Sequence, residues 1–227
     1  MTEARDDLVA RVTRNLAEVT ERIVSTGRDP AEVRIVAVTK TFGPDAAAAA
    51  LAAGLTDVAE NYADELVATH DALGAAPLTW HFVGRLQRNK LARLASRVDV
   101  YQTVASGTDA QGIASRAPAA RCYVQVDVAR EPGRNGCRLD EVPGVVAAAR
   151  DAGLRVEGLM CVASADPTLA EGQFTALRRA ADTEALQGCS MGMSGDFEAA
   201  CACGTTMVRL GTALFGSRAS RRSPAVA

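Results

Sequence analysis

Short β-branched runs alternate with helical stretches along almost the whole chain, and this alternation restricts the fold more than any other feature. Strand candidates are Arg34–Val38, Asp57–Glu60, Leu78–Val83, Val98–Val104, Arg121–Val128, Val156–Val162, Cys189–Met191 and Met207–Leu210. Helical stretches fall at Pro44–Ala53, Ala63–Leu73, Glu141–Ala152 and Leu169–Leu186, among others. A run such as Ile35–Val38 has no polar alternation, which suits a strand buried on both faces. Strand–helix alternation predicts a parallel sheet covered by helices. Eight such units in 227 residues favour an α/β fold of the (β/α)8 TIM-barrel type over a doubly wound sheet.

An additional helix precedes the first strand. Leu8, Val12, Leu16, Val19 and Ile23 recur at spacings of three and four, so they share one face. This places an N-terminal helix over 5–27, ended by Gly27 and the Asp29-Pro30 turn. The alanine run 46–50 reads as helix because Ala is the best helix former. No linker-like break divides the chain, so 1–216 is expected to form one barrel domain. Residues 217–227 are polar and basic and are expected to be a flexible C-terminal tail.

Composition excludes several classes of function. The net charge is −2 and aromatic residues make up 4%. This is a poor basis for binding nucleic acid by charge or by stacking. The longest apolar run, around Ala46–Ala53, is too short to span a bilayer. Residues 1–30 lack the apolar core of a secretory signal. The six cysteines form no CxxC pair and have no His at zinc spacing, so reduced, packed thiols and no metal site are expected. A cytoplasmic protein, monomeric for want of a separate dimerisation element, is the expectation.

Chemistry-bearing residues collect at the C-terminal ends of the strands, where barrel active sites lie. Lys40 follows the first strand in Thr39-Lys40-Thr41. Partial desolvation there lowers an ammonium pKa and frees the amine for Schiff-base chemistry. The second strand ends in Glu60-Asn61-Tyr62, and the third carries His81 and Gly84. A lone His is more often structural than catalytic, but polar residues accumulate at these strand ends. No Gly-x-Ser-x-Gly elbow is present, so hydrolytic chemistry is disfavoured. After strands seven and eight come Ser190–Ser194 and Arg209-Leu210-Gly211-Thr212. Small residues there admit a ligand close to the backbone, and exposed N–H groups can hold a phosphate. A Schiff-base Lys on strand one and a phosphate cup at strands seven and eight suggest pyridoxal 5′-phosphate (PLP). A Schiff-base aldolase acting on a sugar phosphate is the alternative with the same parts.

The segments Val36–Thr41, Glu60–Tyr62, Trp80–Lys90, Gly158–Met160, Ser190–Ser194 and Val208–Gly216 resemble, in order and across nearly the whole chain, the pyridoxal phosphate homeostasis protein family. These are small PLP-binding proteins similar to the N-terminal barrel domain of alanine racemase. The resemblance implies a fold-type III PLP barrel with the cofactor held as an internal aldimine on Lys40. It implies further that Ser194, Gly211 and Thr212 surround the phosphate and that Arg209 stands beside the cofactor, near its phosphate or its pyridine nitrogen. Asn61 and Met193 line the cofactor in this reading, and His81 belongs to the cofactor site in a role left open.

The resemblance also implies a carrier or regulator of intracellular PLP and amino-acid homeostasis without established turnover, with PLP-dependent apo-enzymes as recipients. An amino-acid racemase-like enzyme is the alternative. It needs a second acid or base opposite Lys40, for which Tyr62 and His81 are the candidates. One barrel takes up the chain's length, so a racemase's second domain is not expected and the cofactor should be open to solvent. The chain departs from the family pattern in three places. Pro132–Cys137 only loosely matches a Lys-x-Gly segment, Cys201 stands where an aliphatic residue is usual, and Thr39 replaces a common Ser.

Overall fold

The structure is a computed structural model that describes residues 2–131 and 133–216. Eight parallel strands close into a barrel in chain order. They are β1 (Arg34–Val38), β2 (Asp57–Glu60), β3 (Thr79–Phe82), β4 (Val100–Val104), β5 (Arg121–Val126), β6 (Arg155–Cys161), β7 (Gly188–Ser190) and β8 (Met207–Leu210). The ring is sealed by β8 against β1, with Val36 beside Arg209. All eight expected strands are present, and their ends differ by no more than two residues. The helices are α1 (Thr2–Ser25), α2 (Pro44–Ala52), α3 (Ala63–Leu73), α4 (Leu91–Leu94), α5 (Gly107–Ala114), α6 (Val142–Asp151), α7 (Pro167–Thr183), α8 (Phe197–Ala202) and α9 (Thr212–Phe215).

Strand periodicity divides the core into two shells. Val36, Val38, Ala59, Val100, Tyr123, Met160 and Met207 fill the barrel interior. Their neighbours Ala37, Val58, Phe82, Tyr101 and Val208 face the helices. Both faces are therefore buried, which is why the strands read as continuous apolar runs. In α2, Ala46–Ala50 are all buried, so the small side chains let this helix lie close to the sheet with α1 packed beside it.

The N-terminal helix begins earlier than its apolar periodicity indicates and ends two residues before Gly27, which turns the chain at φ +80°. Val12, Val19 and Ile23 are buried, each worth about 1.5–3 kcal/mol as an upper figure. Asn15 donates to the Leu214 carbonyl at 2.8 Å. Arg22 pairs with Glu198 at 2.7 Å and lies 4.4 Å over the Phe197 ring. This helix thus clasps α8 and α9, the helices that follow the last two strands. Among the described residues no helix is long and apolar enough to cross a membrane. The expected tail, 217–227, lies outside the described residues.

Candidate functional site

A cavity of about 560 Å³ opens at the C-terminal ends of the strands, within the range of small-molecule sites. Seven of the eight expected site residues line it: Lys40, Asn61, Met193, Ser194, Arg209, Gly211 and Thr212. Lys40 enters from the end of β1. The turn behind it is strained, with Thr41 at φ +67°, and the Thr41 amide is held by Glu65 Oε2 at 3.0 Å. Thr39, one residue before the lysine, donates its hydroxyl to Glu60 Oε1 at 2.7 Å. Glu60 is fully buried, and its Oε2 has no hydrogen-bond partner among the described residues. Burial pushes this carboxyl up to about 7, aided by Glu65 and opposed by the Thr39 hydrogen bond and the Lys40 charge.

Across the cavity, Ser194 Oγ accepts from the Gly211 and Ala213 amides at 3.3 and 3.1 Å. This gathers N–H groups and a hydroxyl at one point, with the hydroxyl proton still to give. Gly192 makes the approach possible. It adopts φ +96°, and a Cβ there would lie 2.7 Å from that of Ala200. Its carbonyl accepts the Arg209 amide at 2.9 Å. The Arg209 guanidinium is only 4% exposed and donates to Ser190 O, Ser190 Oγ and Cys161 O at 2.7–2.8 Å. None of these acceptors is a carboxylate, so among the described residues a buried cation faces the cavity with no carboxylate hydrogen-bonded to it. Burial pulls its pKa down, while the Cys161 and Asp196 charges oppose the shift.

His81 is the expected residue that does not line the cavity. Val83, two residues further on and just past the end of β3, lines it instead. Both His81 ring nitrogens are taken up inside the barrel, by Asp57 Oδ1 at 2.9 Å and by Gln102 at 2.7 Å. Desolvation lowers its pKa despite Asp57.

Several lining residues are not among the expected site residues: Val38, Phe42, Gln125, Met160, Val162 and Gly195. Gln125 exchanges two hydrogen bonds of 2.9 Å with Asn135. The segment after β5 therefore reaches the cavity wall despite its loose fit to the family pattern. Pro132 in that segment lies outside the described residues.

The family model described as alanine racemase, N-terminal domain, matches residues 9–219. The pyridoxal phosphate homeostasis protein of Pseudomonas aeruginosa is 36% identical, over 92% of this chain and 97% of its own. The chain belongs to the pyridoxal phosphate homeostasis protein family. The family member of Escherichia coli is 34% identical, over 91% of this chain and 97% of its own. The structure of PipY from Synechococcus elongatus with PLP bound superposes at a TM-score of 0.79 and 27% identity, covering 90% of this chain and all of that one. The family's barrel is thus matched along nearly its full length, with the cavity at the strand ends.

Proposed function

We propose that this chain binds PLP and serves PLP homeostasis as a carrier of the cofactor. The observation that carries the reading is the pairing, in one cavity, of the Lys40 amine with the amide and hydroxyl cluster at Ser194, Gly211 and Thr212. Bound PLP supplies an aldehyde that condenses with a lysine amine and a phosphate that needs clustered N–H and O–H donors. Lys40 is the residue to make that covalent link. Ser194, Gly211 and Thr212 would hold the phosphate, and Arg209 would offset negative charge. Val38, Met160 and Met193 provide apolar walls. PipY, with 27% identity and PLP in its structure, supports the same use of the cavity here.

A carrier is favoured over a racemase because the two candidate acid/base groups are not positioned for turnover. His81 is fully buried off the cavity, and Tyr62 is 57% exposed and outside the lining. The six cysteines are free thiols, as in a reducing cytoplasmic setting. Large exposed apolar side chains among the described residues are Val24, Tyr62, Leu169 and Met193, few enough to favour a monomer. The test is titration with PLP. Wild-type protein should develop a visible absorption band, Lys40→Ala should not, and borohydride should fix the label on the Lys40 peptide. A band that persists in Lys40→Ala would refute the assignment.

A further inference from the structure

Behind Arg209 a chain of buried side chains crosses the barrel interior. Arg209 Nη1 donates to Ser190 Oγ at 2.7 Å. Ser190 Oγ donates to Gln102 Oε1 at 2.6 Å. Gln102 Nε2 meets His81 Nδ1 at 2.7 Å, and His81 Nε2 meets Asp57 Oδ1 at 2.9 Å. The five residues come from β8, β7, β4, β3 and β2. Ser190, Gln102 and His81 are wholly buried, and Arg209 and Asp57 are 4% and 9% exposed.

The first member fixes every proton. A guanidinium can only donate, so the single Ser190 proton goes on to Gln102 Oε1. That leaves the Gln102 NH₂ facing His81, and Met207 Sδ at 3.2 Å on the same side gives this amide a second acceptor. His81 Nδ1 must then accept, which puts its one proton on Nε2, toward Asp57. All four bonds therefore point the same way, from a buried cation at the cavity to a carboxylate at the other end. Aligned chains of this kind polarise one another and strengthen each bond. Beyond Asp57 stand Thr56 at 3.2 Å and the half-exposed Arg34 at 3.5 Å. The charged groups acting on His81 are Asp57, Arg121 and Arg34.

We propose that His81, Gln102 and Ser190 are positioning residues for the cofactor site, fixing the orientation in which Arg209 presents its charge to bound PLP and balancing that charge through Asp57. The inference rests on the PLP reading above. It gives His81 a role in the site without contact, which accounts for its place off the cavity.

Two measurements test it. The first uses the unliganded protein in a His70→Asn background, where His81 is the sole imidazole of the two in the chain. Nitrogen-15 NMR should show His81 as the Nε2–H tautomer with Nδ1 unprotonated, and adding PLP should shift both ring nitrogens. Ser190→Ala cuts the chain between Arg209 and Gln102 while leaving the Gln102 and Asp57 side chains beside His81 unsubstituted, and should largely abolish that shift.

The second uses Gln102→Glu, which keeps the side-chain shape and replaces the donor facing His81 by an acceptor. Its bound-PLP absorption maximum should move, and its PLP Kd should rise about tenfold, the equivalent of one charge-assisted hydrogen bond. A His81 that ignores PLP, or a Gln102→Glu variant with the wild-type maximum and Kd, would overturn the proposal while the cofactor reading stands. Absence of any band in wild-type protein would remove both.

Discussion

Gly84, just after β3, sits against the main-chain carbonyl of Asn61, just after β2, so closely that a Cβ at Gly84 would lie 1.7 Å from that oxygen. No rotamer relieves such an overlap, because both partners are backbone. Asn61 lines the cavity, so a glycine remote from any ligand contact sets where this wall stands. Gly84→Ala is expected to cost roughly 2–4 kcal/mol and to weaken PLP binding. Urea unfolding and a PLP titration of the same sample check both effects, and an unchanged midpoint would contradict the contact.

Glu60 gives the protein a definite dependence on pH. Its carboxyl ordinarily titrates near 4.5 and is raised to about 7 in the fold. Between these values the folded protein keeps a proton that the unfolded chain has released, so stability falls as pH rises across that window. At about 1.4 kcal/mol per unit, the full effect is on the order of 3 kcal/mol. Glu60→Gln cannot ionise there. Its stability relative to wild type should therefore increase from pH 4.5 to 7.5 and level off above. Parallel denaturation curves at several pH values measure this, and a constant difference would be the contrary result.

Ser194→Ala removes the acceptor shared by the Gly211 and Ala213 amides. Without PLP the loss should be about 1 kcal/mol. With PLP the variant also lacks a hydroxyl donor, and its Kd should rise about tenfold, read by spectrophotometric titration. A change in stability with no change in Kd would remove Ser194 from the phosphate cluster.

The thiols should differ sharply in reactivity. Burial pushes Cys122, Cys137 and Cys161 up to about 12 and Cys189 to about 11, and it also raises Cys201. Cys203 is the partly exposed member of the six. Since the thiolate is the reactive form, a thiol reagent at pH 7.5 should label one cysteine rapidly in native protein and all six after unfolding. Mass spectrometry should find the fast label at Cys203.

The strands, and the gathering of Lys40, Ser194, Gly211 and Thr212 around one cavity, were legible because each lies in a short local pattern. An apolar run ending in Thr39-Lys40 declares both a strand and the group at its end. The short helices were harder. Residues Gly107–Ala114 contain two glycines and little apolar periodicity. The Ser106 hydroxyl on the Asp109 amide and the Asp109 carboxylate on the Ala105 amide mark the start, and Ser-x-x-Asp was the available signal. The least legible feature was the direction in which strand residues point. In Val100–Val104 every residue is buried, so no polarity distinguishes Gln102, bonded across the interior, from Tyr101 facing the helices. His81 was placed in the site by resemblance, whereas its partners Asp57 and Gln102 lie on other strands and share no local motif with it.

The seam between β1 and β8 carries a consequence for how the protein is made. A ribosome must complete seven strands before the partner that seals the first one exists. During that interval β1 presents unpaired backbone N–H and C=O groups, as does β7, and the nascent chain is most in need of chaperone cover. Arg209 belongs to this last strand, Gly211 follows it, and Thr212 opens α9. A chain stalled before Met207 would carry the Lys40 amine and Ser194 but lack the Arg209 guanidinium and the Gly211 and Thr212 donors proposed for a phosphate.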